Sequence, residues 1–141
     1  MNTERGLIRE AMKAADLAYA PYSYYHVGAA LLTEEGKVFT GCNIENASFG
    51  ATNCGERTAF FKAVSEGYQN FKAIAIVGGP ACKEDKEDIT ERFSEYAYPC
   101  GICRQVMQEF CREDFKIIVA KNLEDYKIYT LKELLPYGFG G

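Results

Sequence analysis

The sequence predicts an α/β fold of three layers, α-β-α, in which helices cover both faces of one five-stranded mixed sheet. Three observations carry this expectation. Stretches with apolar residues at every third or fourth position alternate with short apolar runs of strand length, two of those runs form a hairpin pattern, and no repeat or low-complexity tract interrupts the series.

Each element has its own signal. Over residues 4–19, Leu7, Ile8, Ala11, Met12, Ala15, Ala18 and Tyr19 mark one face of an amphipathic helix, with Pro21 marking its end. The runs 27–32 and 38–44, joined by Glu34-Glu35-Gly36-Lys37, predict a β-hairpin with a glycine-containing turn. A polar loop over 45–53 leads to Cys54, which opens a second helix carrying Ala59, Phe60, Ala63 and Val64, and Gly67 is placed to end it in a left-handed cap. Residues 73–77 read as a buried strand that stops at Gly78-Gly79-Pro80. The segment 82–95 is so crowded with charge that it predicts a solvated surface excursion without chemistry. Pro99 precedes a helix over 101–111, strands follow over 115–120 and 126–130, and a short helix over 131–135 breaks at Pro136 before a glycine-rich tail.

At 141 residues the chain matches one domain, 1–141, with the charged excursion at about 80–97 as its one large departure. With 48% hydrophobic and 26% charged residues the composition is that of a globular chain, which argues against disorder. A net charge of -4 and the lack of a dense Lys/Arg block argue against nucleic acid as a ligand. No apolar run approaches the roughly 20 residues that span a bilayer, and the start Met-Asn-Thr-Glu-Arg has no signal-peptide core, so no membrane partner and a cytoplasmic location are expected. In that reducing compartment six cysteines are expected to be free, metal-bound or catalytic rather than disulfide-paired.

Their spacing carries the chemistry. Cys54-Gly55-Glu56 and Pro99-Cys100-Gly101-Ile102-Cys103 each place thiols at the start of a predicted helix, where the partial positive charge and free backbone donors favour the thiolate that binds metal. Two intervening residues let Cys100 and Cys103 reach one ion, and Cys54 would supply a third ligand. Three protein ligands leave a tetrahedral zinc one open position, as in catalytic sites. Glu56, two residues past a ligand, can face bound water without occupying the metal. Asn43 and Glu45, two apart at a predicted strand end, emerge on one face and could hold adjacent hydroxyls. No phosphate-binding glycine loop opens a helix, and a carboxylate is a poor neighbour for a phosphate, so a phosphorylated ligand is not expected here.

Cys-x-Glu followed by Pro-Cys-x-x-Cys is also the signature of zinc nucleobase deaminases, here in a three-cysteine form. With Ala20-Pro21-Tyr22-Ser23, Val27-Gly28-Ala29-Ala30-Leu31, Gly41-Cys42-Asn43-Ile44-Glu45-Asn46-Ala47, Arg57-Thr58-Ala59, Arg104-Gln105 and Leu134-Leu135-Pro136, the chain resembles cytidine deaminase over nearly its whole length. The likeness is closest to the small, homotetrameric branch in which all three protein ligands are cysteines. The resemblance implies hydrolysis of cytidine and deoxycytidine to uridine and deoxyuridine with release of ammonia, a step of pyrimidine salvage. In it a hydroxide on the Zn2+ cofactor attacks C4, and Glu56 carries protons to N3 and to the departing amine. It further implies that Arg57 donates to the thiolates, with Arg104 a second candidate for that task. Asn43 and Glu45 would grip the ribose, Tyr25 would pack on the nucleoside, and Phe139 would reach the base of a neighbouring subunit. Tyr25 stands where the family usually has Phe, and Phe49 where it often has Tyr, so the preference among pyrimidine nucleosides stays open.

Other readings compete. Cys-Gly-Ile-Cys alone resembles a thioredoxin-type redox pair, and a fourth cysteine would make a closed structural zinc site, although Cys42, Cys82 and Cys111 share no paired spacing with the motif. Cys42 and Cys111 read as small core residues. A related aminohydrolase acting on a modified cytosine nucleoside is the enzymatic alternative. His26 reads as structural.

Overall fold

The structure, a computed structural model, describes residues 4–80, 93 and 95–136. Its one described sheet has five strands in the order β2-β1-β3-β4-β5. Helix α1 (Glu4–Ala15) precedes the hairpin of β1 (Tyr25–Thr33) and β2 (Val38–Cys42), then come α2 (Gly55–Ser65), β3 (Phe71–Pro80), α3 (Gly101–Phe110), β4 (Lys116–Ala120), β5 (Tyr126–Thr130) and α4 (Leu131–Leu134). β1 runs antiparallel to β2 and β3, β3 parallel to β4, and β4 antiparallel to β5, so the sheet is mixed as expected.

Both faces are covered, which is why the inner strands read as continuous apolar runs rather than alternating ones. On one face Leu7, Ile8, Ala11 and Ala15 of α1 pack on Ala30, Leu32, Ala75, Val77 and Ile118. On the other, Ala59, Phe60 and Ala63 of α2, Met107 of α3 and Leu131 of α4 pack on Ala29, Leu31, Ile74, Ile76, Ile117 and Val119. Each large side chain buried this way stabilises the fold by about 1.5–3 kcal/mol. Two glycines set how closely helices approach. A Cβ at Gly28 would lie 2.0 Å from the Ala11 carbonyl oxygen on the α1 side. One at Gly41 would lie 2.4 Å from the Gly55 carbonyl oxygen and 2.5 Å from the Ala59 nitrogen on the α2 side. The start of α2, which carries Cys54, is therefore pressed directly onto the hairpin.

Several boundaries differ from expectation, and backbone pairing explains three of them. Helix α1 stops at Ala15 rather than at Tyr19, because the backbone of Tyr19 instead donates to the Asn43 carbonyl (3.0 Å) and accepts from the Glu45 amide (2.8 Å). Strand β3 runs through Gly78 and Gly79 to Pro80, since β1 begins at Tyr25 and supplies the partners Val27, His26 and Tyr25. Gly78 there makes room, because a Cβ would sit 2.8 Å from the Ala97 Cβ and 3.0 Å from the Tyr25 ring. The expected strand 38–44 ends at Cys42, with Ile44 held in isolated bridges to Tyr19 and Asn53. Most of the 80–97 excursion lies outside the described residues. Its end is not solvated throughout: Phe93 is fully buried among the α1-side core, and Tyr96 and Ala97 pack against the other face. Gly67 adopts φ +97°, the left-handed cap expected after α2. Among the described residues no helix is long and apolar enough to cross a membrane.

Candidate metal centre

The two helices on the same face of the sheet bring their N-termini together. Cys54 is the N-cap of α2, Cys100 the N-cap of α3, and Cys103 lies in the first turn of α3. Their sulfurs converge, with Cys54 Sγ 3.7 Å from Cys100 Sγ and Cys100 Sγ 3.3 Å from Cys103 Sγ, and all three within 4.8 Å of one another. Tetrahedral ligands about 2.3 Å from a zinc ion stand about 3.8 Å apart. The spacing and the soft, chemically uniform donor set therefore fit zinc, and the three cysteines form the group without a fourth ligand among the described residues. Cys42 and Cys111 are half-buried free thiols elsewhere, both pushed up by burial, and Cys82 lies outside the described residues.

The electrostatics favour metal at this point. Hydrogen bonds from Cys103, then from Arg57 and Cys100, bring the Cys54 thiol down to about 5 against the opposing effect of burial. Cys103, almost wholly buried, is pushed well up because it donates to Cys54 and is desolvated. The Cys54 and Cys103 thiols are thus pushed in opposite directions, and a dication bound there would displace thiol protons. Arg57 donates from a terminal nitrogen to Cys54 Sγ at 3.2 Å, while its Nε is buried without a hydrogen-bond partner among the described residues. The Glu56 carboxyl is 4% exposed and is raised to about 7, first by burial and then by the neighbouring Cys54 charge, against a hydrogen bond from its own backbone amide, the Arg57 charge and a hydrogen bond with Cys103.

The sugar-binding pair expected from the sequence lies just past β2 rather than on its end. Asn43 donates from Nδ2 to the Tyr25 carbonyl (2.8 Å) and accepts at Oδ1 from the Val27 amide (2.9 Å). Each contact uses one of two positions, so among the described residues one donor and one lone pair of that amide have no partner. Glu45 accepts at Oε1 from the Tyr22 and Ser23 amides (2.9 and 3.1 Å) and at Oε2 from the Ser23 hydroxyl, which holds its carboxyl below the usual range. Both side chains therefore reach the turn at residues 22–27, where Tyr24 adopts φ +57° and the chain enters β1 at Tyr25. Between them Ile44 exchanges two backbone hydrogen bonds of 2.9 Å with Asn53, the residue before Cys54, so the pair is tied to the metal ligands by the backbone. Tyr25 lies against Gly78, on the face of the sheet that carries α2 and α3. Phe139 lies outside the described residues.

Two features escaped the sequence reading. Arg104, expected as a second donor to thiolates, instead donates to the carbonyls of Pro99 and Leu134, both at 2.8 Å. Tyr98, which no motif marks, shares a hydroxyl contact of 3.0 Å with Tyr129 and stacks edge-on against it two residues before Cys100. Nothing local announces Leu134 or Tyr129 as partners, because they lie 30 and 31 residues away along the chain.

A covered mixed sheet with three thiols and a buried carboxyl at two helix N-termini defines the class as an α/β metalloenzyme of the zinc deaminase type. The family model for the cytidine and deoxycytidylate deaminase zinc-binding region matches residues 1–120. The chain belongs to this family. It is 45% identical over 139 residues to the cytidine deaminase of Sporosarcina psychrophila, covering 99% of this chain and 92% of that one. It is 47% identical over 133 residues to that of Halalkalibacterium halodurans, covering 94% and 91%. Among solved structures, the cytidine deaminase of Burkholderia pseudomallei matches with a TM-score of 0.81 and 43% identity, over 97% of this chain and 99% of that one.

Proposed function

We propose that this protein is a zinc-dependent hydrolase that converts cytidine and deoxycytidine, with one water, to uridine or deoxyuridine and one ammonia. The observation that carries this reading is the convergence of Cys54, Cys100 and Cys103 beside the buried carboxyl of Glu56. Zinc, when bound, supplies the Lewis acidity that makes water a nucleophile near neutral pH. The chain's own residues do the rest. Glu56, whose carboxyl burial raises, would take one proton from water and deliver it to N3 of the pyrimidine, then take the second proton of that water from the hydroxyl added at C4 and deliver it to the departing amine, which leaves as ammonia. Three thiolates would leave the metal site with a net negative charge, and Arg57 together with the two helix N-termini draws part of that charge away. Asn43 and Glu45 bind the ribose hydroxyls and Tyr25 packs on the nucleoside.

The resemblance to the small branch further supports a single-domain protomer in a cytoplasmic homotetramer whose Phe139 reaches a neighbouring base. Leu17, Tyr22, Tyr24 and Phe49 are exposed, Phe49 by 86%, and assembly would cover such surface. The test is zinc per chain together with loss of cytosine absorbance on cytidine, deoxycytidine and modified cytosine nucleosides. One zinc per chain with turnover of the first two is expected. Stoichiometric zinc without deamination across the panel would overturn the reading, and turnover confined to a modified nucleoside would replace its substrate.

A further inference from the structure

We propose that Arg104 is a positioning residue for the metal ligand Cys100, clamping the carbonyl that precedes this ligand to the end of α4. The two ligand-bearing turns are built differently. Cys54 follows Asn53, whose amide and carbonyl both bond to Ile44, so backbone pairing fixes that ligand. The segment Tyr96 to Pro99, which delivers Cys100, makes no backbone–backbone hydrogen bond among the described residues. Side chains hold it instead: the Tyr96 hydroxyl bonds Asp125, the Tyr98 hydroxyl meets that of Tyr129, and Arg104 Nε donates to the Pro99 carbonyl at 2.8 Å.

Arg104 is the contact nearest the ligand, and it acts twice. Its backbone amide donates to the Cys100 carbonyl at 2.9 Å, closing the first turn of α3, while its side chain fastens the residue before. The second arm of the guanidinium donates to the Leu134 carbonyl at 2.8 Å, one of the last carbonyls of α4, which have no donor within the helix. A planar fork sets the angle between two acceptors from different segments, and a lysine ammonium, a single point on a flexible stem, cannot. Cys100 contacts both other sulfurs, so a small displacement of its turn would misplace it against Cys54 and Cys103 together. The guanidinium thereby also couples the metal ligand to the element that leads into the C-terminal tail.

The proposal concerns metal retention, so it is tested on the zinc-loaded protein with excess chelator, comparing the parent with Arg104→Met and Arg104→Lys. Absorption of the cobalt-substituted forms reports thiolate geometry. Arg104→Met is expected to release zinc about 10–100-fold faster and to shift the cobalt bands, and Arg104→Lys to behave nearly as Arg104→Met although it keeps the charge. If Arg104→Met fails to fold, Arg104→Lys carries the comparison. Release rates equal to the parent's, with only a lower melting temperature of the zinc-free variants, would make Arg104 a merely structural residue and overturn the proposal. Full rescue by Arg104→Lys would overturn it equally, because charge rather than the fork would then be at work. A parent that holds zinc but deaminates nothing would sink the deaminase reading while leaving this comparison intact.

Discussion

At Glu56 burial holds a carboxyl neutral up to about pH 7, while one residue later Arg57 stays charged against Cys54 Sγ. Adjacent residues at one helix start thus take opposite charge states from their surroundings, and each supports a prediction. Arg57→Gln keeps the thiols and the carboxyl but removes the charge that draws on the thiolates. Turnover is expected to fall about 10–100-fold with most of the zinc retained, as read by kcat and metal analysis of the same sample. Unchanged turnover would make Arg57 a surface residue. Glu45 provides a second case. Its carboxyl, held below the usual 4.5 chiefly by the Ser23 hydroxyl, contributes stability above that pH and loses it as the pH falls through the lowered value. The stability difference between the parent and Glu45→Gln, followed by denaturant unfolding, should therefore shrink as the pH falls below about 4.5. The metal group was legible at this scale because cysteine spacing at helix starts is a local signal. The contacts of Arg104 with Leu134 and of Glu45 with Tyr22 and Ser23 were not, since a hydrogen bond to a group far along the chain leaves no mark on the sequence around it.

Among the elements, hairpin, helices and strands were legible wherever apolar spacing reports burial, and boundaries failed wherever backbone pairing decided. Ala18 and Tyr19 continue the helical spacing of α1, yet Tyr19 gains two backbone hydrogen bonds by pairing beside Ile44, and the helix ends first. Gly78-Gly79-Pro80 looks like punctuation, yet β1 supplies its ladder partners and Tyr25 needs the space that Gly78 leaves. The close fit that bears on the metal ligands is at Gly41, where α2 meets the hairpin. Gly41→Ala sets a methyl against backbone that cannot move without carrying Cys54 with it. A loss of about 1–3 kcal/mol in denaturant unfolding is expected, together with lowered zinc content. A variant as stable and as zinc-loaded as the parent would show that α2 is free to shift outward.

For the molecule as a whole, the covered five-stranded sheet could be expected from the alternation of elements, but its strand order could not. Placing β1 between β2 and β3, and β4 beside β3, depends on contacts between residues far apart in the chain. A metal held by Cys54, Cys100 and Cys103 would cross-link α2 and α3, which otherwise touch little, so its removal should be felt globally. Stripping zinc with a chelator is expected to lower the melting temperature on the order of 10 °C. Rebinding at neutral pH should release protons, because Cys103 holds its proton tightly without metal. Calorimetry in buffers of different ionisation heat reads that release, and zinc uptake without it would contradict a Cys103 thiol pushed up by its surroundings. The central claim is the division of labour between three ligands and one shuttle. Its most direct test measures zinc per chain and cytidine turnover together in Glu56→Ala and Cys100→Ala. Glu56→Ala should keep its zinc while turnover falls by at least about a hundredfold, and Cys100→Ala should lose both. Near-normal turnover in Glu56→Ala, or zinc loss as complete as in Cys100→Ala, would contradict it.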